Sequence, residues 1–273
     1  MKASIQHLWW NPWGDKGLDF DDFKVSISVD NLTYDKDADY RVLFLAEPIA
    51  IAPTVNEGAL RSAHDFDRIY TFTQSVLDTY EQAELFCWGS SWLDFKDLKI
   101  HKKPHITFVT SSKIQTPGHQ LRLAIHEALA PIDETKHGLE IYQHISPPFH
   151  ERRNDFFESA MFHIAAENSR QKNYFTEKII DCFASKTIPI YYGCPNLSSF
   201  FNMDGVITFS DIKDLNTIFD TINEDYYNSR KEAIEDNYQV AKKFHSDNDV
   251  VPRLTRFIIE DVKSNAVKRV RSN

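Results

Sequence analysis

Apolar positions along the chain change their period several times. In KVSISVD, residues 24–30, Val25, Ile27 and Val29 alternate with polar residues, which predicts a half-buried strand. YRVLFLAEP, residues 40–48, is a near-continuous apolar run ending in Glu47 and Pro48, as a buried parallel strand reads. SIQHLWW, DRIYTF and ELFCWG predict three more strands, with TQSVLDTYEQA as a helix between the last two. The polar stretch KIHKKPH at 99–105 then breaks the pattern. After it come a strand ending in small polar residues, HITFVTSS, and a helix in HQLRLAIHEALA, where Leu121, Ala124, Ile125 and Ala128 recur at helical spacing. GLEIYQHI predicts a strand, RNDFFESAM a helix and FHIAAENS a strand. YFTEKIIDCFASKTIPIYYG, residues 174–193, predicts helix then strand, and GVITFSD, LNTIFDTI and YYNSRKEAIEDNYQVAKKF continue the alternation.

Strands and helices that alternate in this way argue an α/β fold with mainly parallel sheets. With the break at the polar stretch, the expected organisation is a first domain over 1–102 and a second over 103–247. A last segment, 248–273, carries a helix in DVVPRLTRFIIEDV that packs back on the first half.

The 273 residues suit one large domain or two small ones, and 42% hydrophobic with 26% charged residues predicts a packed core. A net charge of -9 excludes nucleic acid as the main partner, because phosphates need a basic face. The tail KSNAVKRVRSN, with Lys263, Lys268, Arg269 and Arg271, runs against this balance. It reads either as a solvated end or as a weak peripheral contact for an anionic membrane surface. No apolar run has the length of about 18 residues that a spanning helix needs, and the first residues lack the apolar centre of a signal peptide. Cys87, Cys182 and Cys194 have neither metal spacing nor the pattern of a disulfide framework, so a reducing cytoplasm is expected.

The chemistry concentrates between Phe162 and Tyr192, a strand, loop, helix and strand. In a right-handed crossover the loop lies at the carboxyl edge of the sheet, where ligands bind. A helix starting near Tyr174 presents backbone N–H groups and partial positive charge to a diphosphate. Lys178 in its first turn is disfavoured by the helix dipole at roughly 0.3–1 kcal/mol, a cost that a bound anion reverses.

The same string, FHIAAENSRQKNYFTEKIIDCFASKTIPIYYGCPNLSSFFN, resembles the donor-binding core of the α-1,3/1,4-fucosyltransferase family, glycosyltransferase family 10. The matching motifs are Glu167-Asn168-Ser169, then Tyr174-Phe175-Thr176-Glu177-Lys178, then Thr187-Ile188-Pro189-Ile190-Tyr191-Tyr192-Gly193-Cys194-Pro195. A weaker likeness covers FVTSSKIQTPGHQLRLAIHEAL, where Arg122 holds the position of a phosphate-binding arginine. It also covers YRVLFLAEP, whose Glu47 matches the family's proposed base, although Ala46 and Pro48 stand where that turn has glycine and asparagine. HLWWNPWGD resembles a tryptophan-rich strand end, with Trp9, Trp10 and Trp13 as flat surfaces for an acceptor sugar or as core.

The resemblance implies a GT-B fold of two Rossmann-like domains facing across a cleft, the first on the acceptor side and the second binding the nucleotide sugar. It implies inverting transfer of L-fucose from GDP-fucose to a hydroxyl of a glycan acceptor, with no obligatory metal. Lys178 and Arg122 would neutralise the diphosphate. Glu177 and Tyr174, with Thr176 in the same motif, would hold the nucleoside and phosphate side. Glu167 and Asn168 would reach the donor sugar or the nearby loop, Asn168 alternatively capping a helix. Glu47 would take the acceptor's proton. Two other readings stay open: a related transferase using another nucleotide sugar, and a non-catalytic binder of nucleotide sugars or glycans.

Other chemistries find little support. The D-x-D pairs in DKDAD and HDFDR sit in loop-like context and read as solvated turns rather than as a metal site. The histidines form no H-x-x-x-H pair on a helix, and no dinucleotide fingerprint, P-loop or nucleophile elbow occurs.

Overall fold

The computed structural model describes residues 1–273 apart from 8–9, 15–16, 21–22, 130–139, 146–152, 247–248 and 273. At 142, 144–145, 153, 155 and 265–272 it describes the backbone alone. The chain forms two compact units, Met1–Trp88 with Asp247–Asn273, and Gly89–Ser246. The division falls between Trp88 and Gly89, ahead of the polar stretch at 99–105 that the sequence marks as a boundary. The reason is local: Lys103 of that stretch already pairs with Ala160 in a strand. Nearby, Lys102 sends its ammonium into the second unit, donating to the carbonyls of Phe157 (2.6 Å) and Ala160 (2.8 Å) and to Thr187 Oγ1 (2.7 Å).

The first unit holds five parallel strands in sequential order: β1 (Ser4–His7), β2 (Val25–Val29), β3 (Tyr40–Leu45), β4 (Arg68–Thr71) and β5 (Ala83–Leu85). Right-handed crossovers between strands taken in order put the connecting helices on one face. Leu43, Leu45 and Ile69 there pack with Ala59 of α1 (Pro53–Ser62) and Val76 of α2 (Gln74–Thr79). The opposite face needs another cover, and the last helix supplies it: its Val250, Leu254, Ile258 and Val262 join Val25, Ile27, Val42 and Phe44. Asp261 of this helix also takes two donors from Arg68, at 2.7 and 2.8 Å, and the hydroxyl of Tyr70. Covered on both faces, β2 is buried throughout rather than half-buried as its alternation predicts. Its serines are accommodated because each finds a partner, Ser26 Oγ donating to Gln6 Oε1 and Ser28 Oγ to the carbonyl of Thr33.

The second unit holds β6 (Lys103–Thr110), β7 (Glu140–Ile145), β8 (Ala160–Ala166), β9 (Ile188–Tyr192) and β10 (Ile207–Thr208), all parallel, in the order β10-β9-β8-β6-β7. Between them run α3 (Pro117–Leu129), α4 (Arg153–Glu158) and α5 (Glu177–Ala184), followed by α6 (Asp214–Thr221), α7 (Glu224–Asn228) and α8 (Lys231–Ala241). The polar run at 226–244, from which three turns or more of helix are expected, holds the eleven residues of α8 behind the end of α7, which Asn223 caps through Tyr226 N and which closes at Ser229. The strand order reverses between β6 and β8, and such a switch point opens a crevice at the carboxyl ends of the strands. β8 is buried along its whole length. Its His163 is kept neutral by burial, with a pKa lowered to about 3, and meets Thr107 Oγ1 at 2.9 Å. Among the described residues no helix is long and apolar enough to cross a membrane.

Candidate active site

The site is built where β8 runs out beside β6. Just past its end, Glu167 donates its N–H to the carbonyl of Tyr192 (2.8 Å), which keeps it in sheet register. Its side chain is fully buried. Both carboxylate oxygens accept from one residue, Oε1 from Thr176 N at 2.8 Å and Oε2 from Thr176 Oγ1 at 2.7 Å. The loop from 168 to 176 is thereby folded back onto the strand it left. Asn173 turns that loop in the left-handed region, φ 62°, which asparagine tolerates. It is pinned to Asn196 by two hydrogen bonds, at 2.9 and 2.8 Å.

Thr176 is also the N-cap of α5, so the helix starts at Glu177 rather than near Tyr174 as the sequence suggests. Three residues before the helix, Tyr174 is buried in the loop. Ile179, Ile180 and Phe183 fasten α5 to the sheet, each worth roughly 1.5–3 kcal/mol in burial. Glu177 at the first position suits the helix dipole and Lys178 opposes it. The lysine's Nζ donates to Glu177 Oε1 (2.7 Å) and Thr176 Oγ1 (3.2 Å) and lies 3.7 Å from Glu167 Oε2. Burial alone would lower the Lys178 pKa, but the charges of Glu177 and Glu167 outweigh it and hold the ammonium. Burial would likewise raise Glu177, and the Lys178 charge reverses this, so Glu177 stays ionised. For Glu167 burial prevails and its pKa is raised.

Arg122 comes from α3, the helix after β6. It is nearly buried and bridges to the β8 end, donating Nη1 to the carbonyl of Ala166 (2.8 Å) and Nη2 to Asn168 Oδ1 (3.0 Å). Burial lowers its pKa, against the charges of Glu167 and Glu177. Asn168 therefore orients the arginine instead of capping a helix. At the switch point two hydrogen-bonded groups thus meet at the end of β8: Arg122 with Asn168, and Glu167 with Thr176, Glu177 and Lys178. There, two cations and a helix N-terminus face the edge where diphosphates bind.

Two glycines are essential to this geometry, although in the sequence Gly193 stands only as a position of the motif and Gly118 carries no role. A Cβ at Gly118, near the start of α3, would lie 1.9 Å from the carbonyl oxygen of Glu167. A Cβ at Gly193, after β9, would lie 2.6 Å from Glu167 Cγ. His119 also carries no role in the sequence; buried at 5% exposure, it bonds Thr116 Oγ1 through Nδ1 at 2.6 Å, and its pKa falls to about 4 through burial and then the charges of Arg122, Lys113 and Lys178. The signals were present as T-P-G-H before a helix and Y-Y-G-C-P after a strand, but both are local patterns whose partner, Glu167, is distant in sequence.

Glu47 belongs to the first unit, at the carboxyl end of β3, half-buried. Trp9 lies outside the described residues. Trp10 is 38% exposed and packs against Trp88 at 5.7 Å, while Trp13 donates Nε1 to Thr255 Oγ1 at 2.9 Å and so ties its loop to the last helix. Of the basic tail, Lys263 is exposed, and the side chains of Lys268, Arg269 and Arg271 lie outside the described residues.

Two parallel-sheet α/β units of this kind define the GT-B fold of glycosyltransferases. A crystal structure of an alpha1,3-fucosyltransferase with GDP-fucose matches at TM-score 0.50 and 15% identity, over 86% of this chain and 82% of that one. The apo structure of OtsA matches at TM-score 0.57 and 12% identity, over 89% and 74%. These likenesses speak for the fold. The particular family follows from the sequence of the second unit: the model of glycosyltransferase family 10 (fucosyltransferase), C-terminal part, matches residues 101–251, more than half of the chain, and the chain belongs to that family. Alpha-(1,3)-fucosyltransferase FucT of Helicobacter pylori is 30% identical over 135 residues, 50% of this chain. The chain matches 27% of the length of that relative.

Proposed function

We propose that the protein transfers L-fucose from GDP-fucose to a hydroxyl of a glycan, with inversion at the anomeric carbon. The observation that carries this reading is the cluster of Arg122 and Lys178 around the N-terminus of α5, in a family of fucosyltransferases. The departing group is a nucleoside diphosphate, and its bond to the anomeric carbon breaks more easily the better its growing charge is met. Lys178, Arg122 and the α5 amides meet it with groups already in place, as preorganised donors do. Breaking the Lys178–Glu177 contact in favour of a phosphate exchanges one anion for another, and Glu177 is then released toward ribose hydroxyls. Glu167 acts from beneath, keeping Thr176 and so the helix start in position.

On the opposite face of the sugar the acceptor oxygen forms the new bond, and its proton passes to Glu47. Linkage and acceptor are chosen outside the matched region. The test is incubation with GDP-fucose and a glycan panel, read by mass and by the anomeric configuration of the product. The expected result is a gain of one deoxyhexose in inverted configuration, with stoichiometric GDP. A hexose gained from another nucleotide sugar, with none from GDP-fucose, would replace the donor assignment, and a retained configuration would remove the role of Glu47.

A further inference from the structure

The turn that carries Glu47 is held by a buried polar network of the first unit. Asp30 follows β2 directly, next to β3, with its N–H on the carbonyl of Phe44 at 2.9 Å. It is 3% exposed and sits in the left-handed region at φ 46°, uncommon for a residue with a side chain. Strain of this kind persists where the surroundings demand it, often at functional sites. Here the conformation aims Oδ1 at the next strand end, where it accepts from Ala46 N (2.9 Å) and Glu47 N (3.2 Å). On the other side of the same residue, Asn56 of α1 donates Nδ2 to the carbonyl of Glu47 (3.2 Å) and to that of Ala52 (3.0 Å). Asn56 Oδ1 in turn accepts from Thr73 Oγ1 at 2.8 Å, beyond β4. Asn56 and Thr73 are 2% and 1% exposed. Three strand ends and a helix thus converge on the backbone of one half-buried acid, more than a solvated turn before a proline requires.

From this geometry we infer that Asp30 is a positioning residue for Glu47: with Asn56 it clamps the N–H and the carbonyl on either side of the carbon from which the Glu47 side chain springs. The inference rests on the reading of Glu47 as base. Burial raises the Asp30 carboxyl, the two backbone donors lower it and the neighbouring Glu47 charge raises it, which leaves a pKa of about 6.

The test compares Asp30→Ala, Asp30→Asn and Glu47→Ala in the full chain with GDP-fucose and an acceptor. Loss of the clamp in Asp30→Ala is expected to lower kcat about ten- to a hundredfold, because small misplacements of a reacting group cost that much, with the KM for GDP-fucose changed less than about threefold. Asp30→Asn keeps Oδ1 as acceptor for both amides, so kcat recovers to within about threefold of wild type. If Asp30→Ala does not fold, Asp30→Gly, which suits the left-handed φ of 46°, removes the clamp without that strain, and wild-type kcat in it overturns the inference. Wild-type kcat in Asp30→Ala, beside a loss of about a hundredfold in Glu47→Ala, overturns the clamp and leaves the base in place. Normal turnover by Glu47→Ala removes the base reading, and the inference with it.

Discussion

Glu167→Ala is expected to lower folding stability by about 3–5 kcal/mol and to abolish donor binding even where the protein stays folded. The first figure is the cost of breaking a buried, hydrogen-bonded charged contact. The side chain is fully buried and both its oxygens are engaged by Thr176. Its removal strands a buried N–H and a buried hydroxyl, each at about 1–3 kcal/mol if left unsatisfied, and opens a cavity under the loop. Donor binding goes with it because Thr176 sets where α5 begins. Glu167→Gln separates shape from charge. Since burial already raises the Glu167 pKa, the amide keeps Oε1 for Thr176 N and is expected to recover at least half of the lost stability. Urea unfolding of both variants reads this directly. An alanine variant within about 1 kcal/mol of wild type would contradict the anchoring role.

Lys178→Met is expected to lower kcat by about 10²–10³, the usual cost of removing one preorganised donor at a developing charge. The methionine keeps the apolar stem of the lysine, so the packing of α5 is preserved while the ammonium is lost. Its loss also leaves Glu177 without the charge that holds its pKa down, and an unpaired carboxylate then faces the phosphates. GDP affinity is therefore expected to fall as well, though less than kcat, because the diphosphate gains charge as it departs. Single-turnover kinetics with GDP-fucose and calorimetry with GDP separate the two effects. Unchanged turnover would remove Lys178 from the reaction.

How much of this was readable in the chain depends on how local its causes are. YRVLFLAEP is legible as a central buried strand because both faces are apolar, and β3 indeed contributes Phe44 to one face of its sheet and Leu45 to the other. The segment 174–193 is legible because its motif is contiguous. By contrast, α1 has no capping side chain and carries Gly58 in its interior, so PTVNEGALRS announces a helix weakly, through Pro53 at its start. What places it is the packing of Ala59 and the hydrogen bonds of Asn56. The burial of Ser26 and Ser28 could not be read either, because their face of β2, which Leu43 of β3 shares, is closed by the segment around Thr33 and Asp35 through hydrogen bonds that the alternation does not show. Gly118 and Asp30 are the same case at the two strand ends: each is required by one atom of a residue far along the chain, Glu167 O for the first and the amides of Ala46 and Glu47 for the second.

The measurement closest to the central claim is thermal unfolding in the presence of GDP, GDP-fucose, GDP-mannose, UDP-glucose and UDP-xylose, one at a time. A ligand at a hundred times its dissociation constant adds about 2.7 kcal/mol, which raises the midpoint of a chain of this size by roughly 5–10 °C. The account predicts that shift with GDP and GDP-fucose and none with the UDP-sugars. A shift with a UDP-sugar alone, or no shift with any nucleotide, would contradict it.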